Sequence, residues 1–135
     1  MKELTVNAVL ENIPSVTAFI DSQLEAVDCP IKAQMQIDVA IDELFSNIAR
    51  YAYPDGRGHA TVRFVFDEAN RTISLIFADS GIPFNPLEQQ EPDVNKPLAE
   101  RPIGGLGIFL VRKTMDAVDY RREDGQNILT IQKKL

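Results

Sequence analysis

One cysteine, one histidine and no tryptophan occur among the 135 residues, so few of the usual reactive groups need placing. Cys29 alone cannot close a disulfide within the chain, which fits a reducing compartment. With His59 the single imidazole, set in a turn, Cys29 reads as a small hydrophobe at a helix end, not as a nucleophile. Basic residues are also scarce: 14 Lys and Arg face 20 Asp and Glu, a formal net charge of −6. Direct nucleic-acid binding needs clustered cations to neutralise phosphates and is not expected. No stretch approaches the ~18 apolar residues of a membrane-spanning helix. The first residues, Met1 to Asn7, carry an early acid and no apolar signal core. A cytoplasmic protein without membrane association is the expectation.

What remains is ordinary globular material, 44% hydrophobic and 25% charged, of a length that suits one domain over residues 1–135. A short strand is expected over Leu4 to Val9. A helix follows, capped by Asn12, with Pro14 in its first turn and Val16, Phe19, Ile20, Leu24 and Val27 as its apolar stripe. Asp28-Cys29-Pro30 breaks the chain, and a second helix is expected from about Ile31 to Tyr53, ended by Pro54-Asp55-Gly56. Val62, Phe64 and Phe66, then Ile73, Leu75 and Phe77, alternate with more polar neighbours and predict a hairpin with one face toward the helices. A third helix opens at Gly104-Gly105-Leu106-Gly107, with Ile108, Leu110, Val111 and Met115 apolar. A last hairpin turns at Asp124-Gly125. Between Pro83 and Pro102 lie five of the eight prolines and no sustained apolar period. A structureless loop of ~20 residues in a compact domain is usually a functional lid or a disordered segment.

Three stretches carry chemistry. On the second helix Ile37, Ile41, Leu44, Phe45 and Ile48 form the core stripe, while Glu43, Asn47, Arg50 and Tyr51 form another about 100° round. Glu43 and Asn47 lie one turn apart, roughly 6 Å along the axis. An amide oxygen beside a carboxylate suits a site where a metal-bound anion sits and a proton is taken up, although the same stripe also reads as a solvated helix face. Asp79-Ser80-Gly81 leaves an apolar strand. Its carboxylate can accept a hydrogen bond from a neutral donor such as the adenine amine, or it can simply cap a turn. Gly104 to Gly107 leads into a helix and offers bare N–H groups to an anion. Its spacing is neither the P-loop nor the dinucleotide fingerprint.

Taken together and in this order, the stretches resemble the histidine-kinase-like (GHKL) ATPases of the Bergerat ATP-binding fold. Glu43 and Asn47 match the N box, Asp79 and Gly81 the G1 box, and Gly104-Gly105-Leu106-Gly107 the G2 box. Asp79-Ser80-Gly81-Ile82-Pro83-Phe84-Asn85-Pro86, Gly104 to Arg112 and Asn127 to Ile131 are most similar to the anti-sigma-factor serine kinases. The resemblance implies an α+β two-layer sandwich, a mixed, mostly antiparallel sheet with three helices on one face, and a lid at about 83–103. It also implies ATP and Mg²⁺ as ligands. Asn47 would ligate the metal, Asp79 would bind adenine with Gly81 beside it, and Gly104, Gly105, Leu106 and Gly107 would wrap the phosphates. Thr130 would support the adenine, and Arg50 would reach phosphate or stay solvated. Glu43 would be the base acting on a serine hydroxyl. The implied partners are a sigma factor and an anti-anti-sigma protein of the STAS type, with homodimer or monomer left open. Tyr51 departs from the family, where kinases often carry His. A phenol cannot supply a neutral imidazole, which keeps a non-catalytic, nucleotide-gated binding module as the alternative.

Overall fold

The computed structural model describes residues 1–88 and 105–135, with the backbone alone at 105 and 106. Strand β1 (Lys2–Asn7) leads through a 3-10 turn at Leu10–Asn12 into α1 (Ile13–Ala26). Helix α2 (Ile31–Asn47) continues into a π-helical turn at Ile48–Ala52. Strands β2 (His59–Asp67) and β3 (Thr72–Asp79) follow, then α3 (Gly105–Thr114), β4 (Ala117–Glu123) and β5 (Gln126–Lys134).

Period-two alternation drives Val62 and Phe64, Ile73, Leu75 and Phe77, and Leu129 and Ile131 to one face of the sheet. There they meet Val16, Ile20 and Leu24 of α1, Ile37, Ile41 and Phe45 of α2, and Ile108 and Val111 of α3 in one core. The five strands run in the order β1-β2-β3-β5-β4. Every pairing is antiparallel, so the sheet is not mixed as the resemblance implied. The reason is the strand order: β4 runs parallel to β3, but β5, which returns from β4 through a hairpin, lies between them and pairs antiparallel with both. Asp124 and Gly125 hold that hairpin with φ of 51° and 76°, the left-handed pair that a primed two-residue turn requires.

Three local expectations are corrected. Asn12 does not cap α1; its Nδ2 donates to the Asn7 carbonyl at 2.9 Å, and the helix begins directly out of the 3-10 turn. The second helix is α-helical only to Asn47, because the wider π turn takes over and carries the chain to Ala52. Leu110, expected inside, is exposed, since it lies about 160–200° round the helix from Ile108. No helix among the described residues is long and apolar enough to cross a membrane.

Candidate active site

The site forms where β3 ends against β5 and the last turns of α2. Asp79 pairs in register with Asn127 of β5, and both side chains are buried on the inner face. Asn127 Nδ2 donates to Asp79 Oδ1 at 2.9 Å and to the Ile82 carbonyl at 2.8 Å. Its Oδ1 accepts from the Phe84 N–H at 3.2 Å and from the Tyr120 hydroxyl at 2.6 Å. The Gly81 N–H also donates to Asp79 Oδ1, at 2.9 Å. One oxygen of the carboxylate is therefore fixed by the protein, and among the described residues none donates to Oδ2. Burial pushes the Asp79 pKa up, opposed by the hydrogen bonds from Asn127 and Gly81 and by the charge of Arg122.

Gly81 is required by packing. A Cβ there would collide with the Ala52 carbonyl, which also accepts the Ile82 N–H at 2.8 Å. The π turn thus docks its last residue against the loop that carries Asp79. Tyr53 adds a second tie: its hydroxyl accepts from Ser80 N–H at 2.9 Å and donates to the His59 carbonyl at 2.6 Å. Arg122 donates to the Gly81 carbonyl at 2.7 Å from β4.

These ties frame a narrow, mostly apolar pocket between the end of β3, β5 and the last turns of α2. Leu44, Phe77 and Leu129 make its apolar floor, with Asn47 and Asp79 among its polar groups. Phe84 and Pro86 close one side, and Tyr51 stacks on Phe84 with ring centroids 5.1 Å apart. Much of the expected lid, from residue 89 on, lies outside the described residues. Its beginning is anchored: Arg112 of α3 donates to the Leu87 carbonyl at 2.6 Å.

Of the polar stripe of α2, Asn47 lines the same pocket. Asn47 is only 7% exposed, and its Nδ2 has no hydrogen-bond partner among the described residues. An amide can present either its nitrogen or its oxygen at that position, so the unpartnered end fits a ligand-bound cation. No group of three His, Cys, Asp or Glu that could hold a metal occurs among the described residues. A cation here would then take one amide oxygen from the protein and its other ligands from phosphate and water, as Mg²⁺ commonly does. Glu43 is half-buried. Desolvation and the charge of Asp42 raise its pKa, and Arg50, itself exposed, pulls it back down. Gly107, in the first turn of α3, packs on the Glu43 carboxylate so closely that a Cβ would collide with it.

The structure thus brings Asn47 and Asp79 into one pocket, with Gly81 bonded to Asp79, and sets Glu43, one turn before Asn47, against Gly107; Arg50 is exposed and reaches Glu43 only through its charge. Gly105 opens α3, Leu106 follows with its backbone alone described, and Gly104 lies outside the described residues. Thr130 is a correction. It pairs with Ile76 and Asp119 on the outer face of the sheet, because alternation along β5 turns Asn127, Leu129 and Ile131 inward and Thr130 outward. Asn127 is the β5 residue that lies beside Asp79 and lines the pocket. Its signal was in the sequence: it is the polar residue in phase with Leu129 and Ile131.

An α+β sandwich with a carboxylate at the end of a central strand, a buried amide on the facing helix and a glycine-opened helix beside them defines a nucleotide-binding architecture. The profile of the histidine kinase-like ATPase domain matches residues 6–133, and the chain belongs to that family. The serine/threonine-protein kinase BtrW of Bordetella bronchiseptica is 30% identical over 100 residues, covering 74% of this chain and 70% of BtrW. The serine-protein kinase RsbW of Bacillus cereus is 32% identical over 95 residues, 67% of this chain and 58% of that protein. In structure, the RsbU and RsbW domains of Rv1364c from Mycobacterium tuberculosis superpose with a TM-score of 0.63 at 13% identity, covering all of this chain and 33% of the other. The histidine kinase domain of the blue-light activated kinase from Erythrobacter litoralis gives 0.61 at 16% identity, covering 91% and 61%.

Proposed function

We propose that the protein is a cytoplasmic, ATP-dependent protein serine kinase of the anti-sigma type, which sequesters a sigma factor and phosphorylates a serine of a STAS-type partner. The observation that carries this reading is that Asp79 and the Asn47 amide, whose Nδ2 has no hydrogen-bond partner among the described residues, line one pocket, with Glu43 one helical turn before Asn47. Adenine would enter the apolar end, its amine donating to Asp79 Oδ2. The phosphates would extend toward the start of α3, where N–H groups and the helix dipole favour an anion. Asn47 would hold Mg²⁺, which when bound offsets phosphate charge.

Glu43 then accepts the proton of the incoming serine hydroxyl. The serine oxygen forms a bond to the γ-phosphorus as the bond to the bridging oxygen breaks and ADP leaves. Its raised pKa makes it a better acceptor than a solvated carboxylate. The relatives named serine kinases support this reading.

Tyr51 favours the alternative, a nucleotide-gated binding module, because its ring is committed to stacking on Phe84 and it brings no imidazole. Incubation with labelled ATP and each STAS-domain protein of the source genome decides between them. The kinase labels one of these partners on serine, and Glu43→Gln lowers the rate by about 10²–10⁴ with ATP affinity retained. A protein that binds Mg·ATP tightly yet labels none is the binding module.

A further inference from the structure

Outside the nucleotide pocket, α2 and α3 leave an apolar line uncovered. Ile31, Met35 and Val39 are 75%, 63% and 54% exposed, and Leu110 of α3 is 42% exposed. Steps of four residues place the three α2 side chains on one stripe, which is not the scattered pattern of ordinary surface hydrophobics. Met35, Gln36 and Val39 form one wall of a groove of about 250 Å³, and Leu110 and Thr114 the other.

The next step along the same stripe is Glu43. At that end Gly107 meets the Glu43 carboxylate, while further along Leu110 and Thr114 face Met35 and Val39. The two helices are therefore antiparallel, and the groove runs about 12 Å, two turns, from Met35 up to Glu43. A chain laid in the groove is delivered onto the candidate base. Charge is divided along it: exposed Asp42 lies beside Glu43, whereas exposed Lys32 and Lys113 belong to the turns at the far end.

We propose that this groove docks the phosphoacceptor protein itself, through an amphipathic helix that seats two aliphatic side chains one turn apart between α2 and α3. Its serine lies at the end that reaches Glu43, and an acidic residue lies at the end facing Lys32 and Lys113. This deepens the kinase reading and rests on it. A helix in an apolar groove is a recurring mode of peptide recognition. Capture of a second copy of this chain would instead cover the approach to Glu43.

The test uses the full chain with Mg·ATP and the STAS-domain protein that it labels. Val39→Asp and Leu110→Asp, on separate helices and both exposed, are compared with wild type for melting temperature, ATP affinity, self-association and the kinetics of labelling. The expected result is a KM for the acceptor raised at least tenfold in each variant, with unchanged melting temperature and ATP affinity and kcat within about twofold. An unchanged KM in both variants overturns the groove and leaves the kinase standing. A change in self-association alone assigns the face to a second copy and also overturns it. A wild type that labels no STAS protein removes the kinase reading and the docking proposal together.

Discussion

Replacing Asn127 by Ala should damage the site more than any change at Thr130. Asn127 is 5% exposed and takes part in four hydrogen bonds: to Asp79 Oδ1, to the Ile82 carbonyl, and from the Phe84 N–H and the Tyr120 hydroxyl. Truncation leaves those four groups to water or to nothing. At about 1–3 kcal/mol for each buried group left unsatisfied, with water rescuing the more accessible ones, the loss of stability should be about 3–5 kcal/mol. The contact to Asp79 also opposes the desolvation that raises its pKa, so the carboxylate becomes both less oriented and more readily protonated. ATP affinity should fall at least tenfold, about 1.4 kcal/mol. Denaturant unfolding measures the first quantity and titration calorimetry the second, on Asn127→Ala and Thr130→Val side by side. Thr130→Val should bind ATP like wild type, since its side chain lies on the other face of the sheet. An Asn127→Ala protein with wild-type stability and affinity, or a Thr130→Val protein that loses binding, would refute the assignment.

Gly81→Ala should cost at least tenfold in ATP affinity, because its Cβ and the Ala52 carbonyl cannot share the space that closes the pocket; calorimetry checks it. Labelling of the acceptor should rise with pH through a Glu43 pKa above the ordinary carboxylate value, since only the deprotonated base accepts a proton, and Glu43→Gln should abolish that limb of the pH–rate profile. Away from the site, desolvation and the neighbouring Asp21 push Asp38 up from its ordinary 3.8 to about 7. Its folded-state pKa exceeds the unfolded one, so the folded protein binds more protons in between, and stability is greatest below about pH 4 for this group and falls until about pH 7. Asp38→Asn should flatten that dependence in melting curves recorded across the interval.

Much of the fold could be read from periodicity, since the inward set Val62, Phe64, Ile73, Leu75 and Phe77 alternates cleanly and the α1 and α2 stripes keep helical spacing. The π turn could not. Nothing in Ile48-Ala49-Arg50-Tyr51-Ala52 distinguishes it from α-helix, and its reason lies in a long-range contact, Ala52 against Gly81 and Ile82. Asn12 shows the same limit: its residue type suits a cap, yet a closer acceptor at Asn7 claims its amide. In the site, Glu43, Asn47, Asp79 and Gly81 were legible because local spacing brings each pair together. The choice between Asn127 and Thr130 turns on strand phase, and a single-residue shift reverses every side chain. Leu110 is apolar yet exposed, because its angle from Ile108 and Val111 places it outside the buried stripe, and apolarity alone does not carry that angle.

The pocket's identity as an adenine-nucleotide site anchored on Asp79 is tested most directly by calorimetric titration of ATP and GTP, with Mg²⁺, into wild type and Asp79→Ala. GTP presents a carbonyl where adenine presents an amine, and a carboxylate oxygen cannot accept a hydrogen bond from it. ATP should bind wild type at least tenfold more tightly than GTP, and Asp79→Ala should lose at least tenfold for ATP and most of the discrimination. Equal affinity of the wild-type protein for the two nucleotides would contradict it.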